Sequence, residues 1–586
     1  IGNARCASAS AGDFGAAWAR SAANAQHTQD WVRTAHRVGR SGEALAAAGT
    51  SLDGGPAPLE TMDRLYEKQL EVDEHSGAGG WPGYFTPEEM ERNNRLHQGY
   101  AEDAREAAEQ LLAEGLDRAL APLSASTDAI AVVNPHARQR TAWARVTLPT
   151  DLYDRAFRVV DRTSGEEVAY QRFDAEQEIL FRAEAVPPTG YRVYDLLPGE
   201  PTADAPGLLS VTSTTIENDA YALEVDPATG SLISMIDKSS GREMIDTASS
   251  YRFNELGSNT DTVGGEPPNA QAPDSAQTSV AADGPNLAAI RVTREGTPHA
   301  ETIYRLYRGE DRVEIENVLD RDRMPYVPHD TGTRSYVVTL PFDVHEFEIR
   351  SETTTRFLDP LTDGFEREGV FDWHNVEHVL TFWDDDLGVI FGTDSAGDYH
   401  FENLSALATG EFSNGDALLL PRLKDKTDEY EFEDGSIGPF DQEPDTSPIY
   451  RYVHHLRAET PGFDPVAVSR FGWNALTALP TRLLSRRPGN LPDTSASFFR
   501  VSPETVLAYT FKPAEDGDGV VARLTELTGE STLATIGSDV FEVLDAETLE
   551  QDEEGGDPLP VGPAGAEVEL QPYETATVRL RLDRGW

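Results

Sequence analysis

Cysteine is the rarest residue in this sequence, and lysine is scarce as well. Cys6 is the only cysteine among 586 residues, which excludes an intramolecular disulfide and a zinc site built from cysteines. Only five of the 49 basic residues are lysines, and 102 acidic residues outnumber the basic ones. The formal net charge of −53 repels nucleic acid and anionic membranes, so we expect neither as a partner.

Long apolar runs are missing as well. No stretch approaches the ~18 apolar residues of a membrane-spanning helix, and the first residues lack the pattern of a signal peptide. The acidic residues are spread along the whole chain, which is typical of a surface adapted to high salt, where ions screen repulsion between carboxylates. We therefore expect a halophilic source and a cytoplasmic location in a high-salt cell interior. Because the chain starts at Ile1 without a methionine, we also expect an upstream portion.

Helical periodicity is confined to the first fifth of the chain. Apolar residues recur at helical spacing from Asp13 to Val38, which predicts a first helix. A third helix of roughly thirty residues is predicted to start at Thr86, which can cap it, with Glu89 completing a capping box. Between them, a helix that begins near Pro58 has an apolar face made by Leu59, Met62, Leu65, Tyr66 and Leu70. Residues 1–120 are therefore predicted to form a three-helix bundle.

His75 lies at the C-terminal end of the second predicted helix. The four glycines and one proline in residues 77–83 cannot continue a helix, so the imidazole is expected in an open loop that a metal or a sugar can approach. A histidine near a helix C-terminus also interacts favourably with the helix dipole. The residue pattern alone leaves both interpretations open.

After Pro122 the sequence changes to short runs rich in Val, Ile, Tyr and Phe, separated by Gly, Pro and Asp, which predicts β-sandwiches. In Glu217 to Asp246, strands alternate with Asp-Pro-x-x-Gly and Lys-x-x-Gly turns, the pattern of successive hairpins. The predicted fold class is therefore multidomain, α followed by all-β. The predicted units are a helical bundle (1–120), a small β-sandwich (121–205), a β-supersandwich (206–484) and a terminal β-sandwich (485–586).

Several stretches together carry a resemblance to a known family. They are EHSGAGG around His75, AIAVVNPHARQR at the entry of the small sandwich, VPPTGYRVYDL at its exit, the hairpin segment 217–246, and the closing LQPYETATVRLRL. In these stretches the chain resembles glycoside hydrolase family 38, the retaining, zinc-dependent α-mannosidases. The resemblance implies that residues 206–484 form a galactose-mutarotase-like supersandwich and that His75 is one ligand of the catalytic zinc.

The family's catalytic residues are expected outside this chain. In family 38 the nucleophile, the acid/base residue and a His-x-Asp zinc pair lie in an N-terminal α/β barrel. No βαβ pattern precedes the helices, and none of the 13 histidines is followed by x-Asp. The resemblance thus implies the C-terminal part of an α-mannosidase, which acts on α-mannosides and is inactive without a barrel supplied in cis or in trans. No catalytic residue is assigned to this chain, and its only metal ligand is His75.

Two other functions remain open. The chain could be a non-catalytic carbohydrate-binding or assembly subunit that completes a separately encoded barrel. It could also be a polysaccharide lyase, a class that joins helices to a supersandwich, although lyases carry a far longer helical toroid than residues 1–120 supply.

Three further motifs have plainer interpretations. His374 and His378 match the H-x-x-E-H pattern of zinc peptidases, but that chemistry needs a helix, and the aromatic, β-branched surroundings predict a strand and hairpin. Asp516 to Gly519 begins like a calcium loop but lacks the later ligands, so a hairpin turn is predicted. His454 and His455 alternate along a predicted strand and are expected to be structural.

Overall fold

The computed structural model describes residues 26–73, 85–260, 269–324, 334–353, 356–359, 374–394, 398–401, 418–424, 427–431, 433–440 and 446–584. Three long helices come first, and antiparallel sheets make up most of the chain after them. The predicted order of helical and β segments is therefore confirmed. In the described ranges, no helix is long and apolar enough to cross a membrane.

The three leading helices are α1 (Gln26–Asp53), α2 (Leu59–Val72) and α3 (Pro87–Leu120). Thr86 caps α3 through the predicted capping box. Its hydroxyl accepts a hydrogen bond from the Glu89 backbone N–H at 3.3 Å, and the Glu89 carboxylate accepts one from the Thr86 N–H at 3.0 Å. Two of the free N–H groups at the helix start are thereby satisfied.

Helices α1 and α3 pack with their backbones in close approach. A Cβ added at Gly42 would lie 2.8 Å from the backbone nitrogen of Leu112, and one added at Gly115 would lie 2.9 Å from that of Ala46. Only glycine fits at these two points. Small buried side chains fill the surrounding core: Ala35, Ala46, Ala104, Ala107 and Ala108.

The buried face of α2 differs from the predicted one. Met62, Leu65, Gln69 and Val72 are buried, whereas Tyr66 is 41 % and Leu70 is 73 % exposed. The prediction for Tyr66 and Leu70 was wrong because the helix is rotated so that the polar Gln69, which carries no hydrophobic signal, occupies the inner stripe.

A small β-sandwich follows the helices. One of its sheets also takes up two strands from residues 481–497, so the chain returns to this unit after the large sandwich. A short helix α4 (Thr150–Tyr153) closes one turn. The first sheet has the order β30 (Thr481–Leu484), β1 (Ala129–Asn134), β7 (Gly190–Pro198), β3 (Phe157–Asp161) and β4 (Glu167–Val168), with β31 (Ser495–Ser497) also on β7. The second sheet has the order β2 (Arg140–Thr147), β6 (Glu178–Val186) and β5 (Tyr170–Phe173).

The large β unit contains three sheets and a hairpin around one continuous core. The predicted Asp-Pro-x-x-Gly and Lys-x-x-Gly turns are present, with Gly230 and Gly241 at positive φ. The five-stranded sheet has the order β12 (Arg242–Glu243), β11 (Leu232–Asp237), β10 (Tyr221–Val225), β9 (Thr215–Asn218) and β8 (Leu209–Val211). The six-stranded sheet has the order β14 (Asn269–Ala270), β13 (Glu255–Thr260), β19 (Arg334–Leu340), β26 (Leu418–Lys424), β25 (Asp398–Phe401) and β22 (His374–Asn375). The nine-stranded sheet has the order β15 (Ser275–Asp283), β16 (Leu287–Glu295), β17 (His299–Tyr307), β18 (Val313–Asp320), β29 (Ile449–Glu459), β24 (Gly388–Thr393), β23 (Val379–Trp383), β20 (Glu348–Glu352) and β21 (Phe357–Leu358). The hairpin pairs β27 (Thr427–Glu431) with β28 (Ile437–Phe440).

The terminal unit is a sandwich of two sheets. Leu45 and Leu52 of α1 belong to the same buried cluster as Phe511 and Val520 of this sandwich, so the first helix contributes to the core of the last domain. One sheet has the order β32 (Arg500–Ser502), β35 (Thr532–Gly537), β39 (Gly565–Leu570) and β38 (Val561–Gly562). The other has the order β33 (Val506–Pro513), β34 (Val520–Glu526), β40 (Thr575–Arg584), β36 (Phe541–Leu549) and β37 (Asp557–Pro558).

One helix interrupts the β region, where the sequence pattern predicts almost only strands. Helix α5 spans Pro465–Leu476 and is capped by Asp464, whose carboxylate accepts hydrogen bonds from the N–H groups of Val466 and Ala467. Its buried Val468 and Phe471 pack on β23 and β24. The prediction of β structure after Pro122 was wrong for this segment, because an aspartate cap and a proline at the first helical position outweigh the β preference of its aromatic residues.

Candidate functional site

The end of α2 is the part of the predicted zinc site that the structure describes. The helix stops at Val72, and Asp73 follows as its C-cap, with its backbone N–H donating to the carbonyl of Gln69 at 2.8 Å. The Asp73 carboxylate lies 3.1 Å from Nε2 of His36 on α1. The predicted helix end is thus confirmed up to Asp73, while His75 itself lies outside the described residues.

The described ranges offer little capacity to bind a metal. They contain no group of three or more His, Cys, Asp or Glu side chains that could hold a metal ion. A structural or catalytic zinc needs about four ligands. The described part of this chain therefore does not fit a zinc ion by itself, and any zinc held through His75 requires further ligands.

The H-x-x-E-H stretch is not helical. His374 begins the two-residue strand β22, residues 377 and 378 form a bend, and β23 starts at Val379. Nδ1 of the buried His378 lies 3.0 Å from one carboxylate oxygen of Glu352, and the indole N–H of Trp473 on α5 donates to the other oxygen at 3.3 Å. The zinc-peptidase hypothesis fails here, because the helical spacing that would bring both histidines to one metal is absent.

A buried polar cluster, which the sequence did not predict, forms where α1 meets the large sandwich. Arg40 of α1 makes an ion pair with Glu377 at 3.0 Å, and its guanidinium lies 5.7 Å from the ring centre of Trp473. Arg33, on the same helix, donates to the backbone carbonyl of Val376 at 3.1 Å. These contacts join α1 to the segment between β22 and β23 that contains His378.

Neighbouring charges and burial shift the pKa values of two ionisable groups beside this cluster. Burial alone would raise the pKa of the Glu377 carboxyl, but the positive charges of His378 and Arg40 outweigh it and lower that pKa to about 2. Burial, with a smaller contribution from Arg140, holds the pKa of His136 well below its ordinary value. The neutral His136 ring meets Trp473 edge-on, with ring centres 5.2 Å apart.

A cavity of about 20 Å³ lies between these groups and the terminal sandwich, and Arg40, His136 and His378 are among its walls. This volume holds about one water molecule. The cluster therefore has no room for a sugar, and we assign it the structural role of joining the helices to the sandwiches. No local sequence pattern could have revealed it, because its members come from stretches far apart in the chain.

The two remaining motifs are structural, as predicted. His454 and His455 both lie on β29 and are buried, the first against Phe391 and the second 3.9 Å from the Glu314 carboxylate. The Asp516–Gly519 segment is the turn between β33 and β34. Its two carboxylates form ion pairs with arginines: Asp516 pairs with Arg579 at 2.9 Å and Asp518 with Arg581 at 2.8 Å.

Comparison with known proteins points to one family. Residues 506–578 match the family model described as the glycosyl hydrolases family 38 C-terminal beta sandwich domain. No curated protein matches the chain at a significant level.

Solved structures with this fold include two from Enterococcus faecalis. An α-mannosidase from strain V583 is 14 % identical with a TM-score of 0.70, and the match covers 97 % of this chain and 69 % of that one. A protein in glycosyl hydrolase family 38 is 14 % identical with a TM-score of 0.68, covering 95 % of this chain and 71 % of that one. A galactose mutarotase related enzyme from Lactobacillus acidophilus matches over 44 % of this chain and 99 % of its own, with 10 % identity and a TM-score of 0.25. At that TM-score the mutarotase likeness of the large sandwich stays a prediction.

Proposed function

We propose, on the premise that this chain is a relative of glycoside hydrolase family 38, that it is the non-barrel part of a retaining, zinc-dependent α-mannosidase. The observation that carries the proposal is the family match over residues 506–578, at the end of a chain whose fold follows an α-mannosidase along 97 % of its length. In this proposal the three leading helices are the family's middle helical domain, and the large β unit is its mutarotase-like supersandwich.

His75 is proposed as the one zinc ligand that this chain contributes. Helix α2 supports the assignment, because it ends at Val72 and so leads directly into the segment that carries His75. The nearby Leu70 is 73 % exposed, which is consistent with a further domain covering this end of the helix. The other ligands, the nucleophile and the acid/base carboxylate belong to a barrel supplied in cis or in trans, and the nucleophile and the acid/base carboxylate must lie about 5–5.5 Å apart in a retaining enzyme.

The excess of acidic residues over the whole chain supports a high-salt setting. We propose a cytoplasmic protein of a halophile, in which molar salt screens the repulsion that a net charge of −53 creates in the folded state.

The test combines this chain with a family 38 barrel encoded by a neighbouring gene, fused or as a separate subunit. We expect the chain alone to bind little zinc and to hydrolyse no aryl α-mannoside, and the complex to do both. His75→Ala in the complex should remove most zinc and activity, because losing one of about four ligands is rarely compensated. His97→Ala on α3 is the matched control and should change neither.

A second candidate is a non-catalytic carbohydrate-binding or assembly subunit, favoured by the absence of an α/β barrel from the described residues. It predicts that the complex gains stability or substrate affinity while zinc and turnover stay the same in His75→Ala. Turnover by the isolated chain would contradict both candidates.

A further inference from the structure

A cleft of about 350 Å³ opens where the small sandwich, the large sandwich and α5 meet. This volume lies within the range of small-molecule sites. Its walls carry the arginines Arg140, Arg145, Arg182, Arg312, Arg457 and Arg470, against the two acids Glu310 and Asp311. The chain as a whole has twice as many acidic as basic residues, whereas basic residues outnumber acidic ones in the walls of the cleft.

Five of these six arginines already have a carboxylate partner. Arg145 pairs with Glu178 at 3.0 Å, Arg182 with Glu184 at 3.2 Å and Arg312 with Glu310 at 3.1 Å, and the other two pairs are Arg457–Glu459 and Arg470–Glu504. Among the described residues, no carboxylate pairs with Arg140. In the described part of the chain, the charge of Arg140 is therefore offset only from a distance, by Glu310.

Arg140 is held rigidly in the cleft wall and is 1 % exposed. Its Nη2 donates to the carbonyls of Asn474 at 3.1 Å and Thr477 at 2.6 Å, at the C-terminal end of α5. That contact has a structural explanation, since a guanidinium interacts well with the last carbonyls of a helix. It leaves Nε and Nη1 without a hydrogen-bond partner in the part of the chain that the structure describes.

The buried guanidinium stays charged at neutral pH. Burial, and then the charge of Arg312, lowers the pKa of Arg140 to about 9. An unpaired charge in a low-dielectric wall is costly, and an anion brought close to it would be bound more strongly than one in water.

Two aromatic residues in the walls can contact the rest of a bound anion. Trp143 stacks on Tyr307 with ring centres 5.6 Å apart, and both line the cleft. An aromatic face suits the apolar side of a sugar ring.

We propose that this cleft binds a sugar that bears an oxyanion, either a carboxylate or a phosphate ester. The half-exposed Arg145 and Arg182, which are 45 % and 40 % exposed, contact the oxyanion directly. Arg140 attracts it from within the wall. This function needs neither zinc nor a barrel, so it stands or falls separately from the proposed function.

The test measures binding to the whole chain at constant chloride by titration calorimetry, with intrinsic tryptophan fluorescence as a second signal. The probes are glucose phosphate, glucuronate, inorganic phosphate and uncharged glucose. We expect saturable binding of glucose phosphate, of glucuronate or of both, which identifies the source of the oxyanion. Inorganic phosphate should bind more weakly and glucose should not bind measurably.

Variants assign the binding to the cleft. Arg182→Met should weaken binding by about tenfold, the loss of roughly one charge-assisted contact, and Arg140→Met should weaken it similarly although it makes no direct contact. Arg155→Met, an exposed arginine of the same sandwich that pairs with Asp151, is the control and should bind normally. If Arg140→Met fails to fold by circular dichroism, Arg182→Met and Arg145→Met decide the matter, and each should weaken binding by about tenfold. The proposal is overturned if no probe binds saturably, or if the folded cleft variants bind as well as the unmodified chain.

Discussion

Two glycines on helix α3 allow the close packing of α1 and α3 to be tested directly. Gly115 faces α1, where an added Cβ would lie 2.9 Å from the backbone nitrogen of Ala46 and 3.0 Å from the carbonyl oxygen of Gly42. Gly99 lies on the same helix with no heavy atom within 4 Å of its added Cβ. The two positions share their secondary structure and differ in the space available, so Gly115→Ala and Gly99→Ala form a matched pair.

The expected magnitudes come from two opposing effects. Replacing glycine by alanine inside a helix stabilises it by about 0.8–1 kcal/mol. At Gly115 the methyl group meets backbone atoms, which no rotamer change can move aside, and overpacking of this kind costs about 1–3 kcal/mol. We therefore expect Gly99→Ala to raise the free energy of unfolding by about 0.8–1 kcal/mol and Gly115→Ala to lower it by up to about 2 kcal/mol.

The assay is urea unfolding at fixed salt, followed by far-UV circular dichroism, with hydrogen exchange of the α3 amides as a local measure. Opposite shifts of the urea midpoint support the close approach of the two backbones. If both variants are stabilised alike, the contact between α1 and α3 is looser than described. If both are destabilised, the helical state of residue 99 is wrong.

Two further predictions concern buried charges. Burial raises the pKa of Asp394 from 3.8 to about 6, so between these pH values the folded state binds more protons than the unfolded state. The free energy of unfolding should therefore rise by up to about 3 kcal/mol as pH falls from 7 to 4. In thermal melts Asp394→Asn should lose this part of the pH dependence, and an unchanged dependence would contradict the assignment. Arg40→Met removes the partner of Glu377, and because that pair is about a quarter exposed we expect a loss of about 1–2 kcal/mol, less than for a fully buried pair. The exposed pair of Arg155 provides the control, and in urea unfolding Arg155→Met should change stability by less than about 0.5 kcal/mol.

Local patterns predicted several helix ends and hairpin turns, because their causes lie within a few residues. The Thr86 capping box, the end of α2 at Asp73 and the hairpin turns at Gly230 and Gly241 are all present. Helix α5 was missed although its signal was present: Asp464 as cap, Pro465 at the first position, and the buried Val468 and Phe471 three residues apart. The aromatic composition of this segment favours a strand, but the cap and the proline are stronger signals of a helix start.

The polar sites could not be predicted in this way. Glu352, His378 and Trp473 come together only through the fold, since residues 352 and 473 are 121 positions apart. Arg140 could not be predicted either, because within its own strand it is one more arginine in an alternating pattern. Only its position beside the end of α5, without a carboxylate partner among the described residues, distinguishes it from the paired arginines around it.

The exposed end of α2 bears on the proposal that this chain and a separate barrel each supply zinc ligands. Gln69 is buried while Leu70, one position further, is 73 % exposed, an arrangement opposite to what burial of apolar surface favours. Burying a leucine side chain contributes about 1.5–3 kcal/mol, so a surface that covers Leu70 gains that contribution at the helix end that leads to His75. The hydrogen bond between His36 and Asp73 joins the same end to α1. In the proposed arrangement a second domain would cover Leu70, and it could bind without first ordering the end of α2, because the described contacts already join that end to α1.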